Sequence, residues 1–416
     1  MASVADPRVK DLAIGGVRVP AALVRETWPD PYMDIEDYDP ESDLMSLNMG
    51  PQHPSTHGVL RVKLFLDGEI CVKCVPYLGY LHRGVEKLCE KLTYVQVPSV
   101  VDKNDYVSPM MNELAVCMSF EKLLGIEVPE RALVMRTVIA ELQRLSSHLL
   151  WVGTWGLDMG GAIGGGGSLF IHTFRERELF LDLFEELTGG RFHYNHHTPG
   201  GQRHDIPPGW EAQVHQVLNV LESRLIEYED LCTDNHIFQA RTVGVGVIDP
   251  VLAMELGVSG PVARASGIDH DLRRDAPYAA YDRVKVQVPV RQEGDCFARY
   301  MVRLAEMRES IRIVRCLIDD IPEGPICGAK MVKLPGSQKV KAKEFVYAYS
   351  AIESPRGELG TWVVGQPKSA SAYRCKIRPP SYHLVSMLPY LCVGQMISDI
   401  VVVLGSLDPI LGEVDR

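Results

Sequence analysis

The stretch Pro129-Glu-Arg-Ala-Leu-Val-Met-Arg-Thr-Val-Ile-Ala-Glu-Leu-Gln-Arg-Leu-Ser-Ser-His-Leu-Leu-Trp-Val152 decides the fold class. Val134, Val138, Leu142, Leu145, Leu149 and Val152 recur at steps of three and four, which gathers them on one face of a helix. Pro129 fits a first helical position. Phe170, Phe174 and the run Leu179 to Leu187 predict another helix, stopped by Gly189-Gly190. Val214, Leu218, Leu221, Leu225 and Tyr228 mark a third, and Phe297, Tyr300, Leu304, Met307, Ile311 and Val314 a fourth. Wide stripes on long helices read as a bundle with a shared core.

Strands flank the bundle. Val59 to Leu66 and Glu69 to Val75 are alternating runs around Asp67-Gly68, a strong hairpin signal. Cys71 and Cys74 fall in the second strand. An offset of three places them on opposite faces, a poor geometry for sharing a metal. Gly360-Thr-Trp-Val-Val-Gly365 and Tyr373-Arg-Cys-Lys-Ile-Arg378 read as short strands, and Ile397 to Leu404 as a last apolar helix. The fold class is therefore α+β and mainly helical. It divides into an extended acidic arm over 1–43, a β-hairpin subdomain over 44–78, a helical bundle over 79–330 and a C-terminal α+β segment over 331–416. The acidic run of 26–43 lies on the surface or on a partner, or is a solvated tail. Lys330 to Lys343 reads as a lysine-rich loop.

The 416 residues carry 43 Lys and Arg against 54 Asp and Glu, a formal charge of −11. That balance argues against a nucleic-acid binder, which needs a basic face, and against a polybasic membrane anchor. The most apolar run, Ile400 to Leu404, is far short of the roughly 20 residues a bilayer needs. No secretory signal is visible, and ten scattered cysteines read as reduced thiols in a cytosolic compartment.

Familiar motifs are absent. Gly160-Gly-Ala-Ile-Gly-Gly-Gly-Gly167 lacks the Lys-Ser/Thr of a phosphate loop and follows a helix rather than a strand, so it reads as a flexible turn between helices. There is no HExxH, GxSxG or paired CxxC. The unusual segment is Gly50-Pro-Gln-His-Pro-Ser-Thr-His-Gly58. Its prolines exclude a helix, so His53 and His57 are not ligands on one helical face. A rigid loop of this kind can fix an imidazole in one pose, or simply hold a hydrogen-bonded turn histidine.

That segment has companions, in order along the chain: Gly79-Tyr-Leu-His-Arg-Gly-Val-Glu-Lys87, Asn104-Asp-Tyr-Val-Ser108, Glu141-Leu-Gln-Arg-Leu-Ser-Ser-His148, Phe174-Arg-Glu-Arg-Glu178, Arg264-Ala-Ser-Gly267, Ser354-Pro-Arg-Gly-Glu-Leu-Gly360 and Ser406-Leu-Asp-Pro-Ile-Leu-Gly-Glu-Val-Asp-Arg416. Together they resemble the 49 kDa-type subunit of proton-pumping NADH:quinone oxidoreductase, respiratory complex I, from about Met45 to the last residue. The resemblance implies a fold similar to the nickel–iron hydrogenase large subunit. Hydrogenases hold nickel with four cysteines, and the matching positions here are Asp105, Ser108, Ile410 and Glu413. Nickel wants soft thiolates, so this donor set excludes hydrogenase chemistry. The resemblance implies that the vacated cavity, closed by the C-terminal segment, serves quinone.

It further implies the site residues. Tyr106 and His57 match the family's quinone head-group ligands, and Asp158 matches the acidic partner of that histidine. A neutral tyrosine keeps its proton at pH 7, and a histidine titrates near neutrality. Arg83 matches an arginine near the donor cluster, where positive charge raises its potential. Bland alternatives stand beside each role: a core tyrosine, a surface acid at a helix C-terminus, a helix-capping salt bridge. An acid at a helix C-terminus is disfavoured by the dipole, so another interaction should hold Asp158. The implied electron donor is an iron–sulfur cluster in a neighbouring small subunit, because no cluster, flavin or nicotinamide motif is present and the chain alone has no electron source. The implied acceptor is ubiquinone or menaquinone. The implied partners are the iron–sulfur subunit and other peripheral-arm and membrane-arm subunits. The implied place, in a bacterium, is the cytoplasmic side of the inner membrane, held peripherally.

The chain departs from the family around Gly161 to Thr173, at His196-His-Thr-Pro-Gly-Gly201 and at Lys103. Those departures leave room for an assembly driven by ferredoxin or another reductant. A scaffold without chemistry is a third alternative, and His57, Tyr106 and Asp158 standing together argue against it.

Overall fold

The computed structural model describes residues 12–14, 17–19, 44–160, 168–328, 339–340 and 343–416. The acidic run of the arm, the glycine-rich turn and most of the lysine-rich loop lie outside these residues. In chain order, β1 (Leu12–Ile14) pairs with β2 (Val17–Val19), and β3 (Met45–Met49), β4 (Arg61–Asp67) and β5 (Ile70–Tyr77) form an antiparallel sheet. Two short helices follow, α1 (Val85–Lys91) and α2 (Pro98–Val101). The long helices are α3 (Pro109–Leu124), α4 (Glu130–Asp158), α5 (Ser168–Thr188) and, after the small ribbon β6 (His197–Thr198) and β7 (Gly201–Gln202), α6 (Trp210–Cys232). Short helices α7 (His236–Thr242), α8 (Pro250–Glu255), α9 (Gly260–Ala265) and α10 (Leu272–Asp275) lead to α11 (Cys296–Leu317). The chain then forms the antiparallel sheet β8 (Val346–Ser354), β9 (Gly357–Gly365) and β10 (Ala372–Arg378). It closes with α12 (Pro380–Ser386), α13 (Leu388–Cys392), α14 (Ile397–Leu407) and α15 (Leu411–Asp415).

The four predicted helices are α4, α5, α6 and α11, and the mixed, mainly helical class holds. Pro129 sits one residue outside α4 in extended backbone rather than at its first helical position. The stripe Val134, Val138, Leu142, Leu145, Leu149 and Val152 is buried. Each buried leucine contributes about 1.5–3 kcal/mol. The remaining faces of α4 are buried too, and they carry Arg136, Glu141, Arg144 and His148. Arg299, Arg303 and Glu306 are likewise buried on α11. The centre of the bundle is therefore an ionic lattice set inside an apolar one, and a stripe pattern alone cannot reveal that.

The hairpin forms around Asp67-Gly68 with one correction. Leu64 faces Cys74 and Leu66 faces Cys71, with the register shifted between Phe65 and Leu66. This bulge adds one residue to β5 and reverses the alternation. Cys71 and Cys74 thus share the buried face instead of pointing to opposite faces. Among the described residues, no helix is long and apolar enough to cross a membrane.

Candidate functional site

The Gly50–Gly58 loop is built to hold one imidazole. Pro54–Thr56 makes a single 3-10 turn whose entry carbonyl, on His53, accepts both the Thr56 N–H at 3.1 Å and the Thr56 hydroxyl at 2.8 Å. His57 closes the turn in the left-handed region at φ 51°. A β-carbon tolerates that region poorly, and such residues gather at functional sites. The pose aims Nε2 at the last residue of α4, Asp158, whose Oδ2 lies 2.6 Å away. This is the interaction that an acid at a helix C-terminus called for.

The floor under the pair is Gly405 of α14. A β-carbon there would stand 2.1 Å from Asp158 Oδ2 and 3.1 Å from His57 Nε2. Two tryptophans of α4 hold that floor in place: Trp151 Nε1 donates to the Gly405 carbonyl at 2.8 Å, and Trp155 Nε1 to the Val402 carbonyl at 3.0 Å. Burial alone would push the His57 pKa down. The Asp158 hydrogen bond and charge, with a smaller contribution from Asp408, outweigh it and leave the value raised. Burial also raises Asp158. The pair therefore keeps a proton between its two atoms at neutral pH.

Tyr106 sits in the turn that joins α2 to α3. Asp105 Oδ1 accepts the N–H groups of Val107 at 3.1 Å and Ser108 at 3.2 Å, which folds the chain back and presents the tyrosine between them. Asp105 Oδ2 accepts the Ser108 hydroxyl and Arg356 Nη1, the latter at 3.0 Å. The Tyr106 ring lies 6.4 Å from that of Phe192, and only burial and charge, no hydrogen bond, act on its hydroxyl among the described residues. Burial, then the charge of Asp105, raises its pKa, so it is a protonated donor at pH 7.

Arg356, from the turn between β8 and β9, ties the two halves together. Its guanidinium reaches Asp105, Ser147 Oγ at 2.7 Å and Asp408 Oδ1 at 3.1 Å. Asp408 follows α14 at φ 58°, a conformation that a short polar side chain adopts more readily than most. Its charge acts on both His57 and Tyr106. Arg83 lies behind the tyrosine turn, with Nη2 donating to the Lys103 carbonyl at 2.9 Å and to Asn104 Oδ1 at 3.0 Å. It therefore supports backbone and is no helix cap.

The departures are accommodated locally. Lys103 Nζ reaches Asp102 Oδ1 at 2.8 Å and the Ser99 carbonyl at 2.7 Å. The N–H groups of His196 and His197 both donate to buried Glu113 at 2.7 Å, and burial holds both imidazoles neutral by lowering their pKa.

Three residues assigned no role from sequence belong to this arrangement: Arg356, Asp408 and Gly405. For Arg356 and Asp408 the motifs Ser354-Pro-Arg-Gly and Ser406-Leu-Asp-Pro were the available signal, and for Gly405 there was none. Among the described residues, no group of three or more His, Cys, Asp or Glu is arranged to hold a metal.

Known proteins resemble this chain over most of its length. The second D-type subunit of NADH-quinone oxidoreductase from Koribacter versatilis is 46% identical over 390 residues, covering 89% of this chain and 96% of the relative. The D-type subunit of NADH-quinone oxidoreductase from Geotalea uraniireducens is 44% identical over 393 residues, covering 90% and 99%. A chain in the structure of the membrane-bound sulfane sulfur reductase, an archaeal respiratory membrane complex, superposes with a TM-score of 0.86 at 33% identity, covering 91% of this chain and 100% of that one. The family described as respiratory-chain NADH dehydrogenase, 49 Kd subunit, matches residues 164–416. The His57–Asp158 pair and the Tyr106 turn thus stand in a protein that belongs to the 49 kDa subunit family of respiratory complex I.

Proposed function

We propose that this chain forms the quinone-reduction site of an NADH:quinone oxidoreductase. The observation that carries the proposal is the Tyr106 hydroxyl, which has no hydrogen-bond partner among the described residues, next to Asp105, whose two carboxylate oxygens are both bonded. Tyr106 donates one proton to the quinone and the imidazolium of His57 the other. Asp158 keeps that imidazolium charged and oriented. Electrons arrive from an iron–sulfur cluster held by a neighbouring subunit, near the face where Arg83 stands, and the reaction is coupled to proton translocation. Large exposed side chains on the outer face of the β8–β10 sheet, Tyr347, Trp362 and Tyr373 with Phe345 beside them, support a chain that sits inside a larger assembly. Within that membrane-bound assembly this chain is held peripherally.

A second reading has its own support. The structural relative comes from a complex named for sulfane sulfur reduction, so this framework is compatible with partners other than NADH and quinone.

Tyr106→Phe tests the first reading. It keeps the ring and removes one hydrogen bond worth about 1–3 kcal/mol, so quinone-dependent turnover should fall roughly 5- to 150-fold. Electron transfer to hydrophilic artificial acceptors, which bypass the site, should stay near wild type in membranes with normal assembly. Equal quinone reduction by both proteins would refute the role.

A further inference from the structure

The last helical turn of the chain is wedged between the two proton-bearing residues. At Gly58, a β-carbon would come within 3.2 Å of the Leu411 side chain. At Gly412, one would meet the Asn104 carbonyl oxygen at 2.7 Å. Glu413, the next residue along the turn, is fully buried. Its Oε2 accepts the hydroxyl and the N–H of Ser381 from α12. Its Oε1 has no partner among the described residues, and neither has Asp408 Oδ2. Asp105 and Arg356 also face this acid. Arg356 already bridges Asp105 and Asp408 and leaves a third carboxylate without its own cation. On α15 itself, Asp415 turns away to the N–H groups of Gly79 and Leu81.

We propose that Glu413 is the proton store of this site, holding a proton at neutral pH and returning it to Tyr106 after turnover. The proposal rests on the quinone reading above. In that reaction the quinone takes two electrons from the donor cluster, one proton from the Tyr106 hydroxyl and one from the His57 imidazolium, and gains two O–H bonds. The Glu413 O–H bond then breaks as a new O–H bond forms on the tyrosinate. Solvent restores the proton to the carboxylate. Burial, then the charge of Asp105, pushes Glu413 up to about 8, and Tyr106 is held above its ordinary value, so the transfer runs downhill.

Glu413→Gln, in membranes carrying the assembled complex, keeps size and neutral charge but has no proton to give. Quinone reduction should slow about tenfold, below the ~100-fold expected of a direct donor. Wild-type activity should fall as pH rises through about 8, and that limb should vanish in the variant. A wild-type rate and profile would overturn the store. Ser381→Ala removes a donor that holds the pKa down, so the limb should move to higher pH; an unmoved limb would also overturn it. Should Glu413→Gln not assemble, infrared spectra of the wild-type complex decide. A buried protonated carboxyl band must be present at neutral pH and lost above about 8, and its absence refutes the proposal. Tyr106→Phe run in parallel separates the two claims. If it is slow while Glu413→Gln is not, only the store fails; if Tyr106→Phe is unaffected, the quinone reading itself fails.

Discussion

Two regions of buried charge lie close together in this protein, and they are finished differently. In the lattice between α4, α10, α11 and β8, every carboxylate oxygen is bonded. Glu141 takes Arg273, Ser310 and Tyr281; Asp271 takes Arg273; Glu306 takes Arg264 and His148; Glu353 takes Arg264 and the Leu272 N–H. Around Arg356, by contrast, Asp408 and Glu413 each keep one oxygen without a partner among the described residues. A fully bonded charge costs much to disturb and has nothing left to give. A half-bonded acid in a dry site favours its protonated form and can part with that proton. The lattice therefore serves stability, and the Arg356 cluster is placed to serve the site. Removing a charge from each should separate the two roles.

The largest effect is expected in the lattice. Arg264 is bonded to Glu306 and Glu353 at 2.8 Å each and is fully buried. Arg264→Met leaves both acids uncompensated, at a cost of about 3–5 kcal/mol. The complex should lose this chain, seen as failed assembly on native gels together with loss of every electron-transfer activity. Normal assembly would show that the lattice is not what holds the bundle.

A smaller effect, confined to the site, is expected at Gly405. An added methyl would sit 2.1 Å from Asp158 Oδ2 and 2.7 Å from Trp155, so Gly405→Ala must push the His57–Asp158 pair apart. Overpacking of this kind costs about 1–3 kcal/mol, which an assembled protein can absorb. Quinone reduction should drop while transfer to hydrophilic acceptors persists. Parallel loss of both would place Gly405 with the lattice instead.

The same contrast explains what was legible in the sequence. The stripe of α4 and the hairpin at Asp67-Gly68 are local patterns, and they appear where the spacing puts them. The side-by-side placement of Cys71 and Cys74 depends on one bulge in β5, which no spacing encodes. Asp158 was marked in the sequence by its unfavourable place at a helix end, which called for the partner that His57 supplies. Arg356 and its partner Asp105 stand 251 residues apart, and the sequence carries no local sign of such a pairing. The charged positions on α4 and α11 lie outside the apolar stripes, and spacing carries no sign that neighbouring elements cover them. Local order follows from periodicity, while the ionic interior and the floor at Gly405 follow from tertiary contact.

The finest distinction concerns His57. Its imidazole is pulled in two directions: burial lowers the pKa, and the hydrogen bond and charge of Asp158, together with the charge of Asp408, raise it by more. Asp158→Asn keeps shape and hydrogen-bonding capacity but removes the opposing charge, so the burial effect is left to dominate. The imidazole should then be neutral at pH 7 and unable to donate to the quinone. Lowering the pH would restore the imidazolium. Quinone reduction by Asp158→Asn should accordingly be depressed at neutral pH and recover toward wild type as the medium is acidified. Wild type, whose His57 stays charged to higher pH, should show no such recovery over that range. Rates measured across the pH range in membranes, normalised to the hydrophilic-acceptor activity, make the comparison. A uniform depression at every pH would mean that Asp158 acts through shape rather than charge, and would align the His57–Asp158 pair with the structural lattice rather than with the proton-handling cluster around Arg356.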